Sequence, residues 1–267
     1  MDFHTEDIIH VNQITINVRD LSQQLHFYHT ILGMPIKKQT AKQAVLSVGT
    51  KGHEVVLKQL ENGRTAHAQE AGLFHIAFLL DSVEQLGAFI KHIATHRIPI
   101  GGGDHLVSEA IYFNDAEGNG IEVYVDRDKS EWEWKENLVK MDTLALNVDE
   151  ILEKAQNSTW EGMQNHAQIG HLHLKTNDLE EGRTFYNELG FNVVSTLPQA
   201  LFLSDQHYHH HLAINMWQSN QKRVDAEKTY GLSTFNLAIP NVEENQLETP
   251  EGLQLTINKK KTLILKE

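Results

Sequence analysis

The feature that most constrains this chain is that it contains itself twice. Val18-Arg-Asp-Leu-Ser-Gln-Gln-Leu-His-Phe-Tyr-His-Thr-Ile-Leu-Gly33 is echoed by Thr176-Asn-Asp-Leu-Glu-Glu-Gly-Arg-Thr-Phe-Tyr-Asn-Glu-Leu-Gly190, with the Asp-Leu and Phe-Tyr pairs offset by 158 residues. Each copy follows an alternating apolar run, residues 14–18 and 172–176, which reads as a strand. Asp20 and Asp178 stand where a helix cap belongs, and Gly33 and Gly190 where the helix ends. The Phe-Tyr pairs sit at helix-core spacing and read as packing residues.

A second echo lies inside each half. Gly72-Leu-Phe-His-Ile-Ala-Phe-Leu-Leu80 and Gly231-Leu-Ser-Thr-Phe-Asn-Leu-Ala-Ile239 both restart with a Gly-Leu strand. From Gln13 to His75 is 62 residues and from His171 to Thr234 is 63. Four modules result, starting near residues 8, 70, 166 and 229, and the first three read as strand, helix and three more strands. In the second, residues 82–97 form the helix and residues 110–113 and 120–125 are strands around the turn Asp115-Ala-Glu-Gly-Asn119. Gly101-Gly-Gly103 reads as a tight loop, because no helix start or basic residue follows in the register a phosphate site needs. The fourth module is too short for a full helix and strand after Pro240. Residues 128–165 read as an ordered linker, since Trp132, Trp134 and Trp160 and an amphipathic stretch over 148–155 do not suit a flexible one. The expected organisation is a unit over 8–127, the linker 128–165, and a unit over 166–267.

Composition then limits the chemistry. Of 267 residues none is cysteine, which removes disulfides, thiolate metal sites and a Cys nucleophile. A net charge of −13 argues against nucleic-acid binding, and Lys259-Lys260-Lys261 is too short a basic run to alter that. No basic-then-apolar leader and no apolar stretch of spanning length is seen, so a cytoplasmic protein that does not bind membranes is expected. The unusual resource is histidine, with 17 residues and a triplet at His209-His210-His211.

The βαβββ repeat with Asp-Leu, Phe-Tyr and Leu-Gly after its first strand resembles the vicinal oxygen chelate superfamily of glyoxalases, bleomycin-resistance proteins and extradiol dioxygenases. The segments Gly101-Gly-Gly-Asp-His-Leu-Val-Ser-Glu-Ala-Ile-Tyr112, Asp115-Ala-Glu-Gly-Asn-Gly-Ile-Glu-Val-Tyr124 with Asp126-Arg127, and Tyr208-His-His-His-Leu-Ala-Ile-Asn-Met-Trp217 resemble its catechol 2,3-dioxygenase-like branch. The resemblance implies an α+β fold in which paired modules curl into two open mixed-sheet barrels, with a divalent metal held by first and last strands.

Tested position by position, the ligands implied are His75 and Glu122 in module two and His171 in module three, while Gln13, Thr234 and Thr256 occupy the matching places elsewhere. Two histidines and one carboxylate form the facial set that leaves positions on Fe(II) for substrate and dioxygen, with Mn(II) or another divalent ion as the alternative. This requires modules two and three to share the metal barrel and modules one and four to form the other. The resemblance also implies an acid/base histidine on the final strand of module three. Alternation along a strand puts His209 and His211 on one face and His210 on the other, and alignment favours His210. Tyr112, ten residues before Glu122, matches a tyrosine that contacts the bound substrate oxygen, and His105 resembles a second pocket histidine. The function implied is extradiol cleavage of an aromatic diol with O2, by a homo-oligomer. Two alternatives stand beside it, a metal-dependent isomerase or lyase of glyoxalase type and a non-catalytic module that sequesters a small molecule.

Overall fold

The computed structural model describes residues 2–163 and 167–258, so the Lys259-Lys260-Lys261 run lies outside the described residues. Module one comprises β1 (His10–Val18), α1 (Leu21–Leu25), β2 (Ile36–Gln39), β3 (Gln43–Val48) and β4 (His53–Gln59). Module two comprises β5 (Gly72–Leu80), α2 (Val83–Thr95), β6 (Gly101–Asp104), β7 (Ser108–Asn114) and β8 (Gly120–Asp126). The linker adds two short strands, β9 (Trp134–Lys135) and β10 (Leu138–Val139), and α3 (Val148–Lys154). Module three has β11 (Gln168–Lys175), α4 (Leu179–Glu188), β12 (Asn192–Leu197), β13 (Ala200–Ser204) and β14 (Leu212–Asn215). The trimmed fourth module retains β15 (Gly231–Ala238), β16 (Asn245–Glu248) and β17 (Gln254–Ile257), with no helix among its described residues.

Two large mixed sheets result, and each draws on both halves of the chain. One runs β16-β17-β15-β1-β4-β3-β2 and joins modules four and one; the other runs β12-β13-β14-β11-β5-β8-β7-β6 and joins modules three and two. The seams are antiparallel, β1 on β15 and β11 on β5, while β1–β4, β5–β8, β11–β14 and β15–β17 are parallel. The pairing of modules two and three is therefore the one that the distribution of ligand candidates requires. Apolar faces of both sheets share one buried cluster with the helices, including Ile14, Val55 and Phe235 from one sheet and Phe78, Ile169 and Leu174 from the other.

The helix starts follow local chemistry. The Asp20 carboxylate accepts from Gln23 N, Asp178 accepts from Glu180 N and Glu181 N, and Ser82 Oγ accepts from Gln85 N, each satisfying amides that a helix start leaves open. The first helix departs from expectation. Its α-helical turn stops at Leu25 and continues over His26–Ile31 with π spacing, closed by Leu32 N donating to Phe27 O. Gly33 follows at φ +74°, and a Cβ there would lie 2.4 Å from Gly162 Cα, so the linker packs on the helix end only because both residues are glycine.

The Phe-Tyr pairs do more than fill the core. Tyr28 donates to the buried Asp115 carboxylate at 3.1 Å, and Tyr186 to the buried Glu251 carboxyl at 2.8 Å. Each helix is thereby tied to a turn of the following module, and each buried hydroxyl is satisfied. Gly101–Asp104 is also not a tight loop. It is an extended edge strand, with Gly101 opposite Tyr112 and Gly103 opposite Ala110. No described helix is long and apolar enough to cross a membrane.

Candidate metal centre

The three ligand candidates meet because of strand register at one seam. On β5, Ala77 lies opposite Glu122 of the parallel strand β8 and opposite His171 of the antiparallel strand β11. His75 is two residues from Ala77 and therefore on the same face. Irregularities in the β5–β11 ladder between Ile169 and His171, and between His173 and Leu174, aim the β11 side chains. The result is a buried trio, His75, Glu122 and His171, with one ligand atom from each within 4.8 Å of the others. His75 Nε2 lies 2.9 Å and His171 Nε2 3.2 Å from Glu122 Oε2.

This donor set fits a divalent cation. His75 Nε2 is buried and makes no hydrogen bond among the described residues, although it faces the carboxylate, as expected of a nitrogen set to donate its lone pair to a metal. Burial would raise the Glu122 carboxyl, but His171 and then His75 hold it well below the usual carboxylate range. Burial pushes His171 down to about 4 against the pull of Glu122. At neutral pH the pair thus stands as ionised carboxylate and neutral imidazole, the forms that metal ligands need.

The trio opens into a cavity of about 200 Å³ whose walls include Phe74, Phe202, Leu197 and Trp217. The cavity also takes in His105, Tyr112 and His210. Gly103 makes room there, since a Cβ on it would stand 3.0 Å from His105 Nε2. His105 Nδ1 lies 2.9 Å from the Asp142 carbonyl and must donate to it, so Nε2 accepts from the Tyr112 hydroxyl at 2.6 Å. Burial and then Glu122 raise the Tyr112 hydroxyl well above its ordinary range, so it stays protonated. Arg127 spans Asp104 at 2.6 Å and Glu109 at 3.1 Å, fixing the turn that carries His105. The linker closes one side: Leu144 pairs with Asp104 beside β6, and Met141, Asp142 and Thr143 line the cavity.

The histidine triplet lies in the loop entering β14, not on that strand, because the ladder begins only at Leu212. His210 lines the cavity, with its ring 4.0 Å from that of His171. His209 turns to Asp126 at 2.7 Å, and His211 bonds Ser204 Oγ and the Phe3 carbonyl. The sequence reading missed the apolar walls and the linker residues of the cavity, and with them His173 and Phe74. His173, two positions after His171 on β11, stands beside the His75 ring and is held by Asn215 through Nε2 at 2.9 Å. The period-two pattern His171-Leu172-His173 carried that signal. Phe74 packs against both His173 and Trp217, and nothing in the sequence marked it.

Comparison with known proteins is consistent with this geometry. Residues 10–123 match the model of the Glyoxalase/Bleomycin resistance protein/Dioxygenase superfamily. A catechol-2,3-dioxygenase of Bacillus subtilis (strain 168) is 36% identical over 245 residues, covering 89% of this chain and 85% of the relative. Among solved structures, a protein of Bacillus subtilis subsp. subtilis str. 168 aligns with a TM-score of 0.62 at 10% identity, over 95% of this chain and 86% of that one. The cppA protein of Streptococcus pneumoniae TIGR4 aligns at 0.60 and 11% identity, over 94% and 99%. A variant of glyoxalase I from Zea mays aligns at 0.55 and 12% identity, over 96% and 94%. At these identities the structures speak for the fold alone.

Proposed function

Because the chain belongs to the Glyoxalase/Bleomycin resistance protein/Dioxygenase superfamily, in its catechol dioxygenase-like branch, we propose that it is an extradiol ring-cleaving dioxygenase. In this reading it inserts O2 into a catechol-type diol at Fe(II) held by His75, Glu122 and His171. The observation that carries the reading is the convergence of those ligand atoms within 4.8 Å beneath a cavity with apolar walls. Iron(II), when bound, supplies one coordination shell for both reactants and a charge that favours the catecholate.

The rest falls to the chain's own side chains. Phe74, Phe202 and Trp217 hold the ring by its apolar faces and keep water from it. His210 takes a proton from a substrate hydroxyl at the ring nitrogen that faces the cavity, and returns one as the ring opens. Tyr112 donates its hydroxyl hydrogen bond to His105, so its oxygen meets the substrate with lone pairs free to accept from the second hydroxyl. A set of three protein ligands, where a glyoxalase-type isomerase usually uses four, favours the dioxygenase reading over the isomerase. A sequestering module has no use for a buried carboxylate between two imidazoles.

The deciding experiment is anaerobic reconstitution with Fe(II), followed by catechol and air, with oxygen uptake and the yellow ring-opened product as readouts. Stoichiometric uptake with yellow product is expected. Absence of oxygen consumption across a panel of simple catechols refutes the proposal.

A further inference from the structure

Behind the cavity, a hydrogen-bonded chain of three side chains ends on the histidine that faces it. Asp126 Oδ1 lies 2.7 Å from His209 Nε2, and His209 Nδ1 lies 2.8 Å from His210 Nδ1. Its histidine end is enclosed. His209 is fully buried, packed against Tyr208 and Trp132, and His210 is 5% exposed. Tyr208 also donates to Asp126 Oδ1, at 3.4 Å, while Tyr208 and Tyr124 share a hydroxyl–hydroxyl bond of 2.7 Å.

We propose that Asp126 and His209 are positioning residues that fix the tautomer of His210, so that its cavity-facing nitrogen is kept free of a proton. The argument is one of donors and acceptors. A carboxylate only accepts, so the proton between Asp126 and His209 sits on His209 Nε2. A neutral imidazole carries one proton, so His209 Nδ1 has a lone pair and accepts. The bond between the two Nδ1 atoms then needs its proton from His210. His210 is thereby the Nδ1–H form, and its Nε2, which has no partner among the described residues, is the bare nitrogen left to the cavity. Reversing one end reverses the whole chain: without the carboxylate, His209 is free to hold its proton on Nδ1, and His210 would then present Nε2–H. His105 and Tyr112 across the cavity obey the same rule, with the Asp142 carbonyl in the place of the carboxylate.

The tautomer follows from the hydrogen bonds with both imidazoles neutral; its use as a base rests on the dioxygenase reading above. Both are separable by experiment. Proton–nitrogen NMR of histidine-labelled full-length chain, metal-free and again with diamagnetic Zn(II), reads which nitrogen of His210 is protonated. The expected result is Nδ1–H with a bare Nε2 in both states. In His209→Phe, whose ring suits the aromatic surroundings, the Nε2–H form should become the majority. With Fe(II) and catechol, that variant should lose about 10- to 100-fold in kcat, the scale of general-base catalysis. KM should change less than about threefold, because His209 lines none of the cavity and a base set for the reaction acts on kcat rather than on ground-state binding. Asp126→Asn, at a partly exposed position, is the second variant should the first not fold, and it should shift the His209 and His210 proton populations together. A His210 that carries its proton on Nε2 in the unsubstituted protein overturns the proposal, as do unchanged spectra in both variants. The expected tautomer in a protein that consumes no oxygen upholds this inference and removes the dioxygenase reading.

Discussion

Acid should loosen this protein through a histidine that the metal chemistry does not use. His4 is 4% exposed, and both its ring nitrogens are engaged. Nε2 donates to the Gly170 carbonyl at 2.7 Å, and Nδ1 accepts from the Gln168 amide at 3.0 Å. The amide cannot turn over to suit a second ring proton, because its oxygen is taken by Lys51 Nζ at 3.1 Å. Burial, despite the help of the Gly170 carbonyl, pushes His4 from 6.5 down to about 4. Below pH 6.5 the unfolded chain takes up a proton at residue 4 that the folded chain refuses until about pH 4, so stability falls as pH drops through that window. For one such group the loss between pH 7 and pH 5 is ~2 kcal/mol. Urea unfolding of metal-free protein at the two pH values, with and without His4→Gln, measures it. The variant should lose about 2 kcal/mol less than the unsubstituted chain on acidification, whatever the other buried histidines contribute to both. Equal losses in the two proteins would refute the argument.

Other outcomes follow from the same structure. Glu122→Ala and His171→Ala should each abolish iron retention, measured by metal analysis after gel filtration; iron kept by His171→Ala would disprove a site shared between sequence halves. Gly170→Ala would put a Cβ 2.0 Å from Tyr124 Oη. It should cost roughly 1–3 kcal/mol in urea unfolding, the range for overpacking a filled interior. Gly103→Ala presses on His105 and should weaken its bond to Tyr112, lowering kcat about tenfold while the far-UV spectrum stays unchanged, as an estimate from the loss of one oriented hydrogen bond. The apolar cavity walls predict that catechols bearing a carboxylate turn over with at least ~10-fold lower kcat/KM than catechol, checked by oxygen uptake, since an unpaired anion is costly to bury.

The repeat carried most of the fold because it was written in residues with fixed local jobs. Asp20 and Asp178 cap helices, Gly33 and Gly190 take positive φ at helix ends, and matching strand starts place His75 and His171 on the two facing strands of one seam. The candidate site was legible through the family resemblance, because the three positions it implies lie on strands that the repeat brings to one seam. What stayed hidden depends on contacts between distant segments. No local pattern says that Gly103 extends to admit the His105 ring, or that residues 141–143 of the linker close the cavity. The resemblance put the histidine triplet on a strand, where alternation would sort its faces, yet it lies in a loop where each ring answers to a different partner: Asp126, the cavity, and Ser204 with the Phe3 carbonyl. The tyrosines of the Phe-Tyr pairs looked like filler because Asp115 and Glu251 lie 87 and 65 residues away.

The interleaving of the two sheets also dictates how the protein is made. Residues up to 127 supply β5 to β8 to one sheet and β1 to β4 to the other, and in each the central strand waits for a neighbour from residues 168–257. On the ribosome, β1 and β5 therefore emerge with their inner edges bare and remain so until β11 and then β15 have been synthesised, a long interval for exposed strand edges. The strand carrying His171 is the one that covers the edge of β5, so a nascent chain cannot bring His75, Glu122 and His171 together before it has sealed that sheet.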